Sequence, residues 1–446
     1  MPSIQSLPME LLAQIFYFSL TPLSEDTLGT FNDADRLDEF FNSYTRRPAF
    51  NPYATRRKLA GTCLMWRDTV LKSPSLWTNI VLDNCALLDK NIMGKVLGRS
   101  GNMLLDVKVM GMSFETAGTR KWIDPEALGL FRQNFNRIRV LGVVMDAISH
   151  AAITPHLFPN PDCQYFANLE HFYGACTSGW SLAPAWRVGT IHAPKLMTFM
   201  VSSELKCLWE LPSTPLMEGI SRTLTRFKQP PTMEELEALS RCRNVESLSW
   251  WESMAVPRRL PMALQFWHLR SFSLSLAKDV QYLDVNTLLY TPMLRHFTLT
   301  GAVPTRLEWI GPFLMKNPQL EELVLNCVET ETDATEIFAR LTKLTTLTIL
   351  RKQPGDRFLS SLVARTEDGR FILPSLQAIV LARVGGGPLK PSFVDVIRAR
   401  LSVTTFRISG VPLLTQERET LLALRRYFPY ALSLDQKDID KSRARS

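Results

Sequence analysis

The chain contains no run of about eighteen consecutive apolar residues, so no membrane-spanning helix is expected. Paired cysteines are missing too. Its seven cysteines, Cys63, Cys85, Cys163, Cys176, Cys207, Cys242 and Cys327, include no Cys-x-x-Cys spacing and are odd in number. This speaks against a disulfide framework and fits buried thiols in a reducing compartment. Histidine is scarce: His150, His156, His171, His192, His268 and His296 are scattered, none at metal-ligand spacing with the cysteines. There is no Gly-x-x-x-x-Gly-Lys-Ser/Thr loop, no His-Glu-x-x-His pair and no Gly-x-Ser-x-Gly elbow. Gly385-Gly386-Gly387 runs into Pro388 and lacks the helix N-terminus that would bind phosphate. Cys63 and Cys327 fall in structural settings rather than reactive ones. No catalytic residue, cofactor or metal is therefore expected, and only a deep pocket with convergent titratable groups would revive an enzyme. No base precedes Arg36 and Glu10 interrupts the first apolar stretch, so no secretory signal is expected; the cytosol or nucleus is the expected compartment.

What the chain does contain is repetition. From about residue 100, an apolar residue is followed three and five positions later by two more: Leu104/Val107/Val109, Ile138/Leu141/Val143, Leu196/Phe199/Val201, Val245/Leu248/Trp250, Leu269/Phe272/Leu274, Leu294/Phe297/Leu299, Leu320/Leu323/Leu325, Leu344/Leu347/Ile349, Leu376/Ile379/Leu381 and Val403/Phe406/Ile408. Leu169/Phe172/Gly174 and Leu224/Phe227/Gln229 are degraded copies. Between Val245 and Leu344 the starts lie 24, 25, 26 and 24 residues apart. Prolines lead into several units, as in Thr291-Pro292-Met293-Leu294 and Asn317-Pro318-Gln319-Leu320, where proline ends a helix or coil and hands the chain to a strand. Amphipathic stretches such as 233–239 and 335–341 fall between units. Each unit reads as strand, turn, helix, and parallel strands must stack because no unit can bury its own apolar residues. The pattern resembles leucine-rich repeats. That resemblance implies an α/β fold with a parallel sheet wound into a curved solenoid over about 83–430. Leu421, Leu422, Leu424 and Phe428 would cap it, and 431–446 is expected to be a polar, disordered tail. The rival, a doubly wound enzyme sheet, needs a Gly-rich loop after a strand, and none stands in place.

The first eighty residues read differently. Pro8 suits the start of a helix, and Leu11, Leu12, Ile15, Phe16 and Phe18 form one broad apolar stripe. A second helix is expected over about Ala54 to Leu71. Leu59, Cys63, Trp66 and Val70 would share one face, with Arg56, Arg57, Arg67 and Lys72 as polar flanks. Residues 21–53 form an acidic insert: residues 1–45 hold seven acids and one base, and the remainder supplies the excess behind the net +8. So short a module buries too little surface to stand alone and needs a following domain or a second protein. A plain helical cap over the next domain is the alternative reading.

Leu7-Pro8-Met9-Glu10-Leu11, Cys63, Trp66-Arg67 and Pro74-Ser75-Leu76-Trp77, in that order, resemble an F-box. With the repeats, nearly the whole chain resembles the fungal F-box-like proteins with leucine-rich repeats. The resemblance implies a three-helix F-box at 1–82, with the insert departing from the family pattern. Leu7, Pro8, Leu11, Ile15, Leu59, Cys63 and Trp66 would contact a Skp-type adaptor and through it a cullin, and the solenoid would present an unknown protein substrate for ubiquitination. The alternative is a leucine-rich-repeat scaffold whose F-box is vestigial or works without a cullin.

Strand alternation sends the third, fifth and seventh positions of each unit outward. That face reads Ser247/Ser249/Trp251, Ser271/Ser273/Ser275, His296/Thr298/Thr300, Glu322/Val324/Asn326, Thr346/Thr348/Leu350, Ala378/Val380/Ala382 and Thr405/Arg407/Ser409. It is mostly hydroxyls with few charges. A nucleic-acid groove would need clustered bases and stacking aromatics, so no nucleic-acid partner is expected despite a pI near 9.1. Trp251, Arg270, Arg295, His296 and Arg407 are the candidate anchors for a protein substrate, since Trp and Arg are enriched at interface hot spots. Trp250 is expected in the core.

Overall fold

The computed structural model describes residues 7–20, 52–83, 90–111, 124–145, 153, 156–157, 163–176, 190–201, 225–228, 236, 239–252, 264–276, 285–385, 390–400, 405–409, 419, 421–423 and 432–434. The acidic insert, apart from its final residues, lies outside them, as do Leu424, Phe428 and the side chain of Trp251. The chain is mixed α/β with parallel sheets and falls into two compact units, Met1–Gln229 and Pro230–Ser446. Among the described residues no helix is long and apolar enough to cross a membrane.

The first unit opens with α1 (Met9–Leu20), α2 (Pro52–Thr62), α3 (Leu64–Lys72) and a 3₁₀ turn (Pro74–Trp77). It continues through β1 (Asn79–Asp83), α4 (Lys90–Ser100), β2 (Leu105–Gly111), α5 (Pro125–Arg132) and β3 (Ile138–Met145). The short strands β4 (Cys163–Tyr165), β5 (His171–Cys176), β6 (Thr190–His192), β7 (Thr198–Val201) and β8 (Arg226–Lys228) complete it. Strands β1, β2, β3, β5, β7 and β8 lie side by side in chain order, all parallel, while β4 and β6 pair separately. Helix α5 starts where the sequence provides a cap: the Asp124 carboxylate accepts from Glu126 N–H at 2.9 Å and Pro125 takes the first position.

The second unit runs β9 (Ser247–Glu252), β10 (Leu264–Gln265), β11 (Ser271–Leu276), α6 (Val285–Leu288), β12 (Leu289–Tyr290), β13 (His296–Arg306), α7 (Leu307–Met315) and β14 (Glu322–Glu329). Then follow α8 (Thr335–Arg340), β15 (Thr346–Lys352), α9 (Asp356–Val363), β16 (Ala378–Gly385), α10 (Pro391–Ala399), β17 (Thr405–Ser409) and β18 (Leu432–Leu434). Strands β9, β11, β13, β14, β15, β16, β17 and β18 again pair in parallel and in chain order.

The repeated triplets put the strands where the pattern demands. Leu269, Phe272 and Leu274 align with Leu294, Phe297 and Leu299, then with Leu320, Leu323 and Leu325, and all are buried. Phe297 sits 5.7 Å from Phe272 and 5.3 Å from Phe313 of α7, so the strand ladder and the helix layer share one aromatic core. Trp250 is buried as expected.

Several expectations need correction. In the first triplet the inward residue is Leu105, not Leu104: Leu105 pairs with Ile138 and is buried, Leu104 is exposed, and the ladder shifts register between Leu105 and Asp106. Ser273, Val324 and Asn326 belong to the outward set but are buried. The tail expected from 431 begins instead with β18, which supplies backbone partners to β17.

Gly355 shows how tightly the turns are packed. Its N–H donates to Thr330 C=O at 2.9 Å, and an added Cβ would fall 2.7 Å from Glu331 Oε2 and 2.8 Å from both Glu331 Cα and Thr330 O. Two of those atoms are backbone and cannot swing aside. Gly355→Ala is expected to destabilise by about 1–3 kcal/mol, read as a lower urea midpoint; an unchanged midpoint would mean the turn can open freely.

Candidate functional site: the N-terminal helices and the sheet face

Helix α1 has distinct faces. Leu12, Phe16 and Leu20 recur every four residues and are buried. On another side Leu11 and Ile15 remain 46% and 45% exposed. The buried face is held by Phe16 against Trp66 of α3, ring centroids 4.8 Å apart and edge to face. The C-terminal end is tied down by Asn79 of β1, whose Nδ2 donates to Leu20 C=O at 2.9 Å.

The single helix expected over 54–71 is two helices. Cys63 is extended (φ −159°, ψ 170°) and serves as the N-terminal boundary of α3, so it does not sit on a continuous helix face. Gly61 and Thr62, both poor helix formers, precede the break. Past it, Leu64 is the most exposed large apolar side chain described, at 74%. Leu64 was missed because a continuous helix would have turned it off the stripe; Gly61 is the signal that could have found it.

Arg56 also departs from expectation. It is not a polar flank but is buried, 2% exposed. Its Nε donates to Leu76 C=O at 2.6 Å and its Nη2 to Asn79 C=O at 2.7 Å, and the guanidinium lies over the rings of Tyr53 (5.3 Å) and Trp77 (5.1 Å). Trp77 in turn donates from Nε1 to Val70 C=O at 2.6 Å and carries Arg99 4.5 Å over its ring. Burial pushes Arg56 down to about 10, against the pull of Tyr53, and pushes the Tyr53 hydroxyl up to about 12. This joint fixes α2 and α3 to the start of the sheet, so the outward helix surface is presented by a packed base.

Of the residues expected to meet an adaptor, Leu11, Pro8 and Ile15 are exposed, and Leu7, Leu59, Cys63 and Trp66 are half-buried. Pro8 precedes the helix, its C=O accepting from Leu12 N–H at 3.1 Å. Trp66 reaches α1 through Phe16, which brings the helices carrying these residues together.

No protein-family model and no curated protein matches this sequence.

A cleft of about 670 Å³ opens on a third side of α1, lined by Glu10, Gln14 and Tyr17 from the helix and by Leu104, Asp106 and Arg139 from the sheet side. Arg139 clamps Asp106 with both Nε (3.1 Å) and Nη2 (2.9 Å), and those hydrogen bonds raise its pKa further. The two charges neutralise each other. Among the described residues no group of three or more His, Cys, Asp or Glu is placed to hold a metal. Cys242 is buried, which pushes its thiol up to about 11 and away from the reactive thiolate.

In the second unit the candidate substrate anchors divide. Arg270 and Arg295 lie one residue ahead of β11 and β13, and His296 opens β13 with Nδ1 3.1 Å from Glu322 Oε2. These three are neighbours. Arg407 is exposed on β17, four strands from β13, or roughly 19 Å at normal strand spacing, so it does not join them.

Proposed function

We propose that this chain is the substrate-recognition subunit of a Skp-cullin-F-box ubiquitin ligase. In this reading α1 to α3 are an F-box docking on the adaptor, and the parallel strands with their helices are leucine-rich repeats forming a solenoid that holds a protein substrate. The cullin complex supplies the ubiquitin chemistry, and this chain is not itself an enzyme. One observation carries the reading: on α1, Leu11 and Ile15 remain exposed while Leu12, Phe16 and Leu20 of the same helix are buried. Burial of the second set already satisfies the fold, so the first set is apolar surface awaiting a partner. Leu64, at the start of α3, is a further exposed apolar side chain of these helices.

The test is capture of a purified Skp-type adaptor by the full chain and by a Leu11→Ala, Ile15→Ala variant. Each truncation removes a candidate anchor worth about 2 kcal/mol, so together they should weaken binding by a hundredfold or more while circular dichroism stays native. No capture by the native chain, or equal capture by both, would sink the proposal.

A further inference from the structure

The rim of the second unit, where its strands begin, carries a patch that folding does not explain. Residues just ahead of the strands form a lateral row. Arg270 N–H donates to Glu246 C=O at 2.8 Å, Arg295 N–H to Arg270 C=O at 2.8 Å, and Glu321 N–H to Arg295 C=O at 2.7 Å. The row therefore reads Glu, Arg, Arg, Glu. Arg295 pairs with Glu321 (Nη1 to Oε1, 3.3 Å), while Arg270 has no ion pair among the described residues. Like charges at neighbouring cross-strand positions repel. Beside them Trp267 and Tyr290 meet edge to face at 5.2 Å, yet are 54% and 47% exposed, with Met293 at 44%. Trp267 is three residues before Arg270 and Met293 two before Arg295, so aromatic and cationic groups share the same two turns.

We propose that this rim binds an extended acidic segment of a partner protein. A carboxylate bridges Arg270 and Arg295, and an adjoining large apolar side chain packs on Trp267, Tyr290 and Met293. The inference rests on the reading of this unit as the substrate-binding part, and it places the contact at the rim rather than on the open sheet face. Charge complementarity sets the class of partner: a carboxylate beside Arg270, whose charge has no ion pair among the described residues, relieves its repulsion with Arg295. Two isolated arginines do not make the continuous basic track that a nucleic-acid backbone, with a phosphate at every step, requires. Nor do rings crossed at 75° offer the parallel faces on which successive bases stack.

The experiment measures fluorescence anisotropy of a labelled random glutamate–tyrosine copolymer titrated with the full chain, beside a lysine–tyrosine copolymer and polyuridylate. The variants are Trp267→Ala with Tyr290→Ala, Arg270→Ala with Arg295→Ala, and Arg398→Ala as a charge control away from the rim, each checked by circular dichroism. The native chain should bind the glutamate–tyrosine copolymer alone, each double variant should weaken it at least tenfold, and Arg398→Ala should leave it unchanged. No binding by the native chain, equal binding of polyuridylate, or unchanged binding by both double variants would overturn the proposal. Both double variants should still capture the adaptor. Failure of the native chain to do so would count against the ligase reading while leaving the rim measurement standing.

Discussion

Arg56→Ala should destabilise the first unit by about 3–5 kcal/mol, a loss usually reserved for a broken buried ion pair. The change strips the Arg56 donors from two carbonyls, Leu76 and Asn79, at the turn into β1. Each orphaned carbonyl costs about 1–3 kcal/mol, and the space left between Tyr53 and Trp77 adds a cavity. One term opposes these. Arg56 is itself an expensive group to bury, and its Nη1 finds no hydrogen-bond partner among the described residues. Arg56→Met separates the terms, since methionine keeps the stem packed against the rings and removes the buried charge. Unfolding in urea followed by tryptophan fluorescence should rank native above Met above Ala. An alanine variant within about 1 kcal/mol of native would show that the joint is not what holds these helices.

Arg400→Ala should produce a comparable loss in the second unit, again about 3–5 kcal/mol. Arg400 is fully buried, donates from Nε to Leu362 C=O and from Nη1 to Leu373 C=O at 2.8 Å, and lies 4.3 Å over the Phe371 ring. It pins the turn after α9 to the end of α10. Phe371 is shared: Arg365 lies 4.2 Å over the same ring. Burial, reinforced by the Arg365 charge, pushes Arg400 down to about 10. The ring is therefore expected to matter as a neutralising surface. Phe371→Leu should keep the position apolar but remove the ring face, losing about 1–2 kcal/mol of stability in the same urea assay. Full stability of Phe371→Leu together with a large loss in Arg400→Ala would assign the whole effect to the two carbonyls.

These two arginines show where sequence reasoning stops. Strands were legible because the last two apolar residues of each triplet share one face at a period of two, and β9, β11 and β13 to β17 fall on the triplets. The start of β2 was not, since Leu104 and Leu105 are equally apolar and only pairing with Ile138 selects the second. Arg56 reads as a flank because helical spacing alone places it beside Arg57. Its partners are the carbonyls of Leu76 and Asn79, twenty or more residues away, and carbonyls leave no mark in a sequence. The same holds for the rim. Arg270 and Arg295 could be named as anchors from residue type, but their adjacency depends on the register that sets Ser271 against His296. Of the candidate adaptor surface, the stripe of Leu11 and Ile15 was legible and Leu64 was hidden by the unseen break at Cys63.

The most direct test of the account is hydrogen exchange on the full chain with and without a saturating Skp-type adaptor, resolved to peptides. Protection should rise in peptides covering Leu7 to Phe16 and Leu59 to Trp66, and amides across β13 to β17 should be unchanged. Protection confined to the repeat strands, or none anywhere, would contradict docking through the N-terminal helices.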